Sequence, residues 1–163
     1  MKNLNCTKFV VALATILSTS LMLYGSPFAQ TGMTVVESKQ VKWGPAPPQF
    51  LPGIQFAVLA GDPSKAGVYT IRLKMPSGSK VNPHWHTAEV DVTVITGTLG
   101  FGMGDKFDKS KAQLVKPGGF IVETKEMHHY VWAVGPTVIQ VHGEGPLVIN
   151  YVNPSDDPST AHH

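Results

Sequence analysis

Five of the seven histidines are His84, His86, His128, His129 and His142, and the first two stand as His84-Trp85-His86. Alternate residues of an extended strand share a face, so both imidazoles of this tripeptide point one way and Trp85 the other. Two neutral imidazoles on one face suit a single divalent metal ion, although histidines satisfied by hydrogen bonds inside a core are also common. Two donors do not close a site. Glu89, Asp91, His128, His129 and His142 are available to complete it. On the run Val138 to His142, Gln140 and His142 share a face opposite Ile139 and Val141. A polar pair on one side of a strand is costly to bury without partners, so this face is expected to line a wet cavity beside the metal. His142 is then the candidate catalytic residue, as an acid/base group, a further ligand or an orienting neighbour, unless backbone near Gly143-Glu144-Gly145 satisfies it.

The elements that must hold these residues are short strands. The chain has 163 residues, 42% hydrophobic and 15% charged, enough for one ordinary globular domain. From Gln30 onward two-residue alternation recurs, with no convincing three-and-four spacing bounded by caps. About ten strands are predicted: Thr34 to Glu37, Gln55 to Ala60, Val68 to Lys74, Ala88 to Ile95, Thr98 to Met103, Ala112 to Val115, Gly119 to Glu123, His129 to Ala133, Val138 to His142 and Leu147 to Tyr151. The separators, among them Pro76-Ser77-Gly78, Thr96-Gly97, Pro117-Gly118-Gly119 and Gly135-Pro136, supply turn geometry. The class is all-β, a sandwich or barrel. Phe101 and Met103 read as strand residues, with Gly102 and Gly104 thinning the strand toward a bend.

Charge and cysteine usage narrow the function. The formal charge is +2, and without Lys2 and Lys8 the rest of the chain is neutral, which gives no electrostatic reason to expect nucleic acid or acidic lipid as a partner. Cys6 is the single cysteine, which excludes an internal disulfide, a Cys/His zinc finger and a cysteine nucleophile in the folded body. Lys2 and Lys8, the apolar stretch Phe9 to Leu23 and the exit Gly25-Ser26-Pro27-Phe28-Ala29 form a secretory signal, with cleavage expected after Ala29. The protein is therefore expected in the periplasm or outside the cell. The organisation is a signal peptide over 1–29, an extended arm over 30–48, a β-barrel over 49–154 and a polar tail over 155–163.

The histidine pair resembles the first motif of the cupins: Gly, five residues, His-x-His, three or four residues, Glu, six residues, Gly. Gly78, His84, His86 and Gly97 match, but the place of the acid is taken by Val90, flanked by Glu89 and Asp91. Glu89 is a metal ligand on this resemblance only if a β-bulge re-aims it. The second cupin motif is degraded: Thr124-Lys125-Glu126 stand where Pro-x-Gly is expected, and His129 occupies the histidine place. By alternation His128 faces outward. From about Val41 to Pro154 the chain also resembles a subgroup of small, often exported bacterial cupins, on segments such as Gly61-Asp62-Pro63-Ser64-Lys65 and Tyr151-Val152-Asn153-Pro154. The resemblance implies a single-domain cupin barrel, a double-stranded β-helix or jelly roll, with one divalent ion, iron, manganese, nickel, copper, cobalt or zinc, on His84, His86, His129 and Glu89. It also implies a small-molecule ligand and pairing into homodimers through edge strands. Fold analogy does not select a reaction. An exported metal-binding module, a metal-dependent oxygenase, isomerase or lyase acting on a small oxygen-bearing molecule, and a structural barrel with a vestigial site all fit.

Overall fold

A computed structural model describes residues 32–160. The export signal expected over 1–29 lies outside them. Eleven strands are formed among the described residues: β1 (Gly44–Pro45), β2 (Gln55–Ala60), β3 (Gly67–Met75), β4 (Lys80–Trp85), β5 (Val90–Thr96), β6 (Leu99–Met103), β7 (Gln113–Val115), β8 (Phe120–Glu123), β9 (His129–Ala133), β10 (Thr137–Gly145) and β11 (Asn150–Tyr151). They make two antiparallel sheets, a six-stranded one in the order β1-β2-β3-β10-β5-β8 and a five-stranded one in the order β11-β4-β9-β6-β7. The all-β expectation holds.

Alternation decides which side of each sheet meets the other. On β3, Tyr69, Ile71, Leu73 and Met75 are buried while Val68, Thr70, Arg72 and Lys74 are not. On β5 the buried set is Val90, Val92 and Val94. The facing sheet adds Val81, Leu99, Val131 and Ala133, so the core lies between the sheets and its residues are mostly β-branched.

Strand β9 is buried at all five positions, on both faces. Its inward residues are His129, Val131 and Ala133. Its outward Tyr130 and Trp132 lie across from Gly102 and Gly100 of β6. A Cβ on Gly100 would come within 2.3 Å of the Trp132 ring, and one on Gly102 within 2.2 Å of Tyr130 Cζ. These glycines do more than thin the strand: they seat two aromatic rings flat on it, and Phe107 packs against both rings at 4.9 and 5.7 Å.

Some local expectations change, and the strand expected over Leu147 to Tyr151 forms only at Asn150–Tyr151. Thr34 to Glu37 forms no strand and leads into a single 3₁₀ turn at Ser38–Gln40. Lys80–Trp85 is a strand, where only the His84-Trp85-His86 tripeptide was expected to be extended. The β4–β9 register slips between Val81 and His84, so Pro83 falls where the regular ladder is interrupted. The arm expected over 30–48 supplies the edge strand β1, and Asp156 of the expected tail accepts a hydrogen bond from Asn82 Nδ2 at 3.0 Å.

Candidate metal centre

Strand β4 delivers His84, the loop residue after its end delivers His86, and β9 delivers His129 directly across from His84. All three are buried, at 4%, 6% and 1% exposure, so they line the interior and not a rim. Their ring centroids lie 4.2 to 5.2 Å apart, and one nitrogen of each falls within 4.8 Å of the others.

Backbone carbonyls settle which nitrogen points inward. His84 Nδ1 is 2.8 Å from the Asn82 carbonyl, His86 Nδ1 is 2.7 Å from that of Val148, and His129 Nδ1 is 2.9 Å from that of Met127. A carbonyl only accepts, so each Nδ1 carries a hydrogen and donates it, and in the neutral ring the lone pair is then on Nε2, which faces the cluster. Burial and the two neighbouring imidazoles push the His84 pKa down to about 3, which keeps that ring neutral. His129 Nε2 is buried with no hydrogen-bond partner, the kind of orphan that calls for a ligand.

The fourth group is Glu123, buried at 4% exposure on β8. Its carboxylate stands 3.5 Å from His86 Nε2 and 3.4 Å from His129 Nε2. Burial alone would raise its pKa, but the contacts with His129 and His86 outweigh burial and hold it at about 2. The same contact raises His129 against the effect of its own burial. An ionised carboxylate in an apolar interior needs a cation, and three Nε2 lone pairs beside it are the donor set of a borderline divalent ion. The residues fit a metal.

Sequence reasoning placed the acid elsewhere. Glu89 is exposed in the turn before β5, and no bulge turns it inward. Val90, which stands where the first motif expects the acid, does line the cavity. Its partner across the β5–β8 ladder is Glu123, so the carboxylate occupies the same region of the same face from the neighbouring strand. The available signal was a lone acid after Phe120-Ile121-Val122, but the pairing of β5 with β8 is not local. His142 is a second correction. It is exposed on the outer face of β10, with Nδ1 3.0 Å from Thr70 Oγ1, while Ile139 and Val141 turn into the core. The apolar pair, not the polar one, claimed the inner face because burying it needs no partners. Gln140 lies outside with it, accepting a hydrogen bond from Arg72 Nε at 3.1 Å. His128 faces outward as expected, 2.6 Å from Asp105. Glu126 takes φ 63°, the left-handed conformation that suits the glycine of the second motif.

The histidines and Glu123 share a cavity of about 50 Å³ whose other walls are apolar, including Ile71, Leu73, Val92 and Val141. Apolar walls of this kind lower the local dielectric and strengthen the electrostatics beside them.

A two-sheet antiparallel jelly roll with two inward histidines at the start of the barrel and a third on β9 defines the cupin class. Within it, residues 31–148 match the model of the ChrR cupin-like domain, and the chain belongs to that family. No curated protein sequence matches significantly. Among solved structures the chain is similar to the polyketide cyclase RemF from Streptomyces resistomycificus, at 20% identity over 78% of this chain and 91% of that one, with a TM-score of 0.64. It is also similar to an acetylacetone dioxygenase from Acinetobacter johnsonii, at 16% identity over 83% and 88%, TM-score 0.60. KdgF from Halomonas sp. matches at 19% identity over 70% and 96%, TM-score 0.54. At these identities the likeness is one of fold.

Proposed function

We propose that this protein is an exported cupin that binds one divalent metal ion through Nε2 of His84, His86 and His129, with the Glu123 carboxylate as fourth donor or as acceptor for a group bound beside the metal. The observation that carries this reading is the convergence of three buried Nε2 atoms whose opposite nitrogens are tied to backbone, that of His129 meeting only the Glu123 carboxylate at 3.4 Å. Iron, manganese, nickel, copper, cobalt and zinc all suit this donor set. Export rests on the basic start, apolar run and small-residue exit of residues 1–29. N-terminal sequencing of the processed protein, expected to begin near Gln30, tests it. The edges left open at β7 and β8 fit pairing with a second copy, which sedimentation measures.

Elemental analysis after loading with zinc or cobalt tests the centre. One ion per chain is expected for the wild type and far less for His86→Ala; equal loading of both would overturn the assignment.

A second reading, a metal-dependent enzyme acting on a small oxygen-bearing molecule, is favoured by Glu123. Its carboxylate lines the same cavity as the three Nε2 atoms, where it can accept a hydrogen bond from a molecule bound beside them. The bound ion would supply Lewis acidity or a redox centre. The cyclase and dioxygenase names of two fold relatives agree with such chemistry without fixing a substrate.

A further inference from the structure

Two cavities share three lining side chains. Phe50, Leu147 and Ile149 line the inner chamber of about 50 Å³ that holds the histidines, and the same three line an outer chamber of about 190 Å³. The outer chamber has polar walls at Gln49 and Ser64 beside Pro47, Phe56 and Pro63. Each of the three shared side chains therefore presents a surface to both spaces. Phe50 is 8% exposed, and its ring leans on Phe56 at 6.4 Å, at the junction of the two linings.

Both sides of the junction are fastened. The turn bearing Phe50 is closed by its own N–H donating to the Pro47 carbonyl at 2.9 Å, and the Tyr151 hydroxyl donates to the Gln49 carbonyl at 2.7 Å. On the other side, the Leu147 N–H donates to the Pro63 carbonyl at 2.7 Å. Between Leu147 and Ile149, the Val148 carbonyl accepts the Nδ1 hydrogen of His86. The segment that narrows the junction is thus the one that orients a histidine of the centre.

We propose that Phe50, with Leu147 and Ile149, forms a selectivity neck admitting to the histidine centre a small, largely apolar molecule with one heteroatom able to bind the metal. The inference rests on the metal-binding reading and adds the route and the ligand class. Size follows from the inner chamber: at about 10–15 Å³ per water on this measure, 50 Å³ holds about four waters, so the ligand has few heavy atoms beyond its donor. Its apolar character follows from walls that offer no polar partner apart from the histidines and Glu123.

The test uses cobalt(II)-loaded protein, whose visible absorption reports ligands at the metal, titrated with imidazole and with the bulkier 4-phenylimidazole. The wild type should bind imidazole and discriminate against 4-phenylimidazole by at least about tenfold, a ratio that Phe50→Ala should abolish while leaving imidazole binding and cobalt content unchanged. Should Phe50→Ala fail to fold, Phe50→Leu and Ile149→Ala widen the same neck and should shift the ratio in the same direction. Cobalt bound stoichiometrically with the same ratio in the wild type and the folded variants would overturn the neck alone. A wild type that holds no cobalt would overturn the metal reading and the neck with it.

Discussion

At the residue scale, the centre depends on which groups are buried and paired, more than on which types occur close in sequence. Glu123 and Glu89 are the same chemistry in opposite settings, one enclosed among imidazoles and one in water. Glu123→Gln is expected to weaken zinc affinity by about 10–100-fold, measured by competition with a chromophoric chelator, whereas Glu89→Gln should leave it unchanged. An effect of Glu89→Gln equal to that of Glu123→Gln would show that the turn before β5 rearranges around the ion. His142 gives a matching expectation. Because it sits outside with Thr70, His142→Ala should keep full metal content and change stability by no more than about 0.5 kcal/mol in urea unfolding. The pair His84-Trp85-His86 and His129 were legible because strand alternation and a motif agree on them. Glu123 was not, because its role comes from a cross-strand partner remote in sequence.

At the scale of elements, most strands could be read from alternation and turn residues, and the exceptions have physical causes. Strand β4 reaches back beyond its histidines with Pro83 at an interrupted ladder, and the face of β10 is ambiguous in sequence because its apolar residues are as well alternated as its polar ones. The turn before β9 carries a correctable strain. Glu126 holds φ 63° with its N–H bonded to the His86 carbonyl at 2.9 Å. Glycine tolerates this conformation without a Cβ penalty, so Glu126→Gly should stabilise the protein by about 0.5–1 kcal/mol in thermal unfolding; destabilisation would mean that the turn draws on the Glu126 side chain. Gly102 is the opposite case. Its missing Cβ seats Tyr130, whose hydroxyl donates to the Asp108 carbonyl at 2.7 Å, and Gly102→Ala should cost about 1–3 kcal/mol by forcing that ring off the strand. A neutral Gly102→Ala would show that β6 and β9 shift apart freely.

At the scale of the whole molecule, the two sheets bury a set of titrating groups whose balance ties stability to pH. In the metal-free protein His84 stays neutral down to about pH 3 because of burial and its imidazole neighbours, whereas in the unfolded chain it protonates near its ordinary value. Its contribution is therefore lost as pH falls below about 6.5. Glu123, held near 2, adds stability that is present above its ordinary range and lost as pH falls toward that value. His129, raised by Glu123, works the other way and is favoured below about 6.5. The depression of His84 is the larger effect, so the urea midpoint of metal-free protein should fall from about pH 7 to about pH 4.5, and less steeply in His84→Gln. A steeper fall in that variant would place the titration elsewhere. The jelly roll itself was legible from composition, alternation and motif, while the closed interior that makes these groups interact depends on long-range pairings. That interior holds the three-imidazole cluster proposed to bind a metal, and X-ray absorption of zinc-loaded protein tests it directly. Nitrogen or oxygen scatterers at about 2.0–2.1 Å with the outer-shell pattern of three imidazoles are expected. A zinc spectrum without imidazole scattering would contradict the centre.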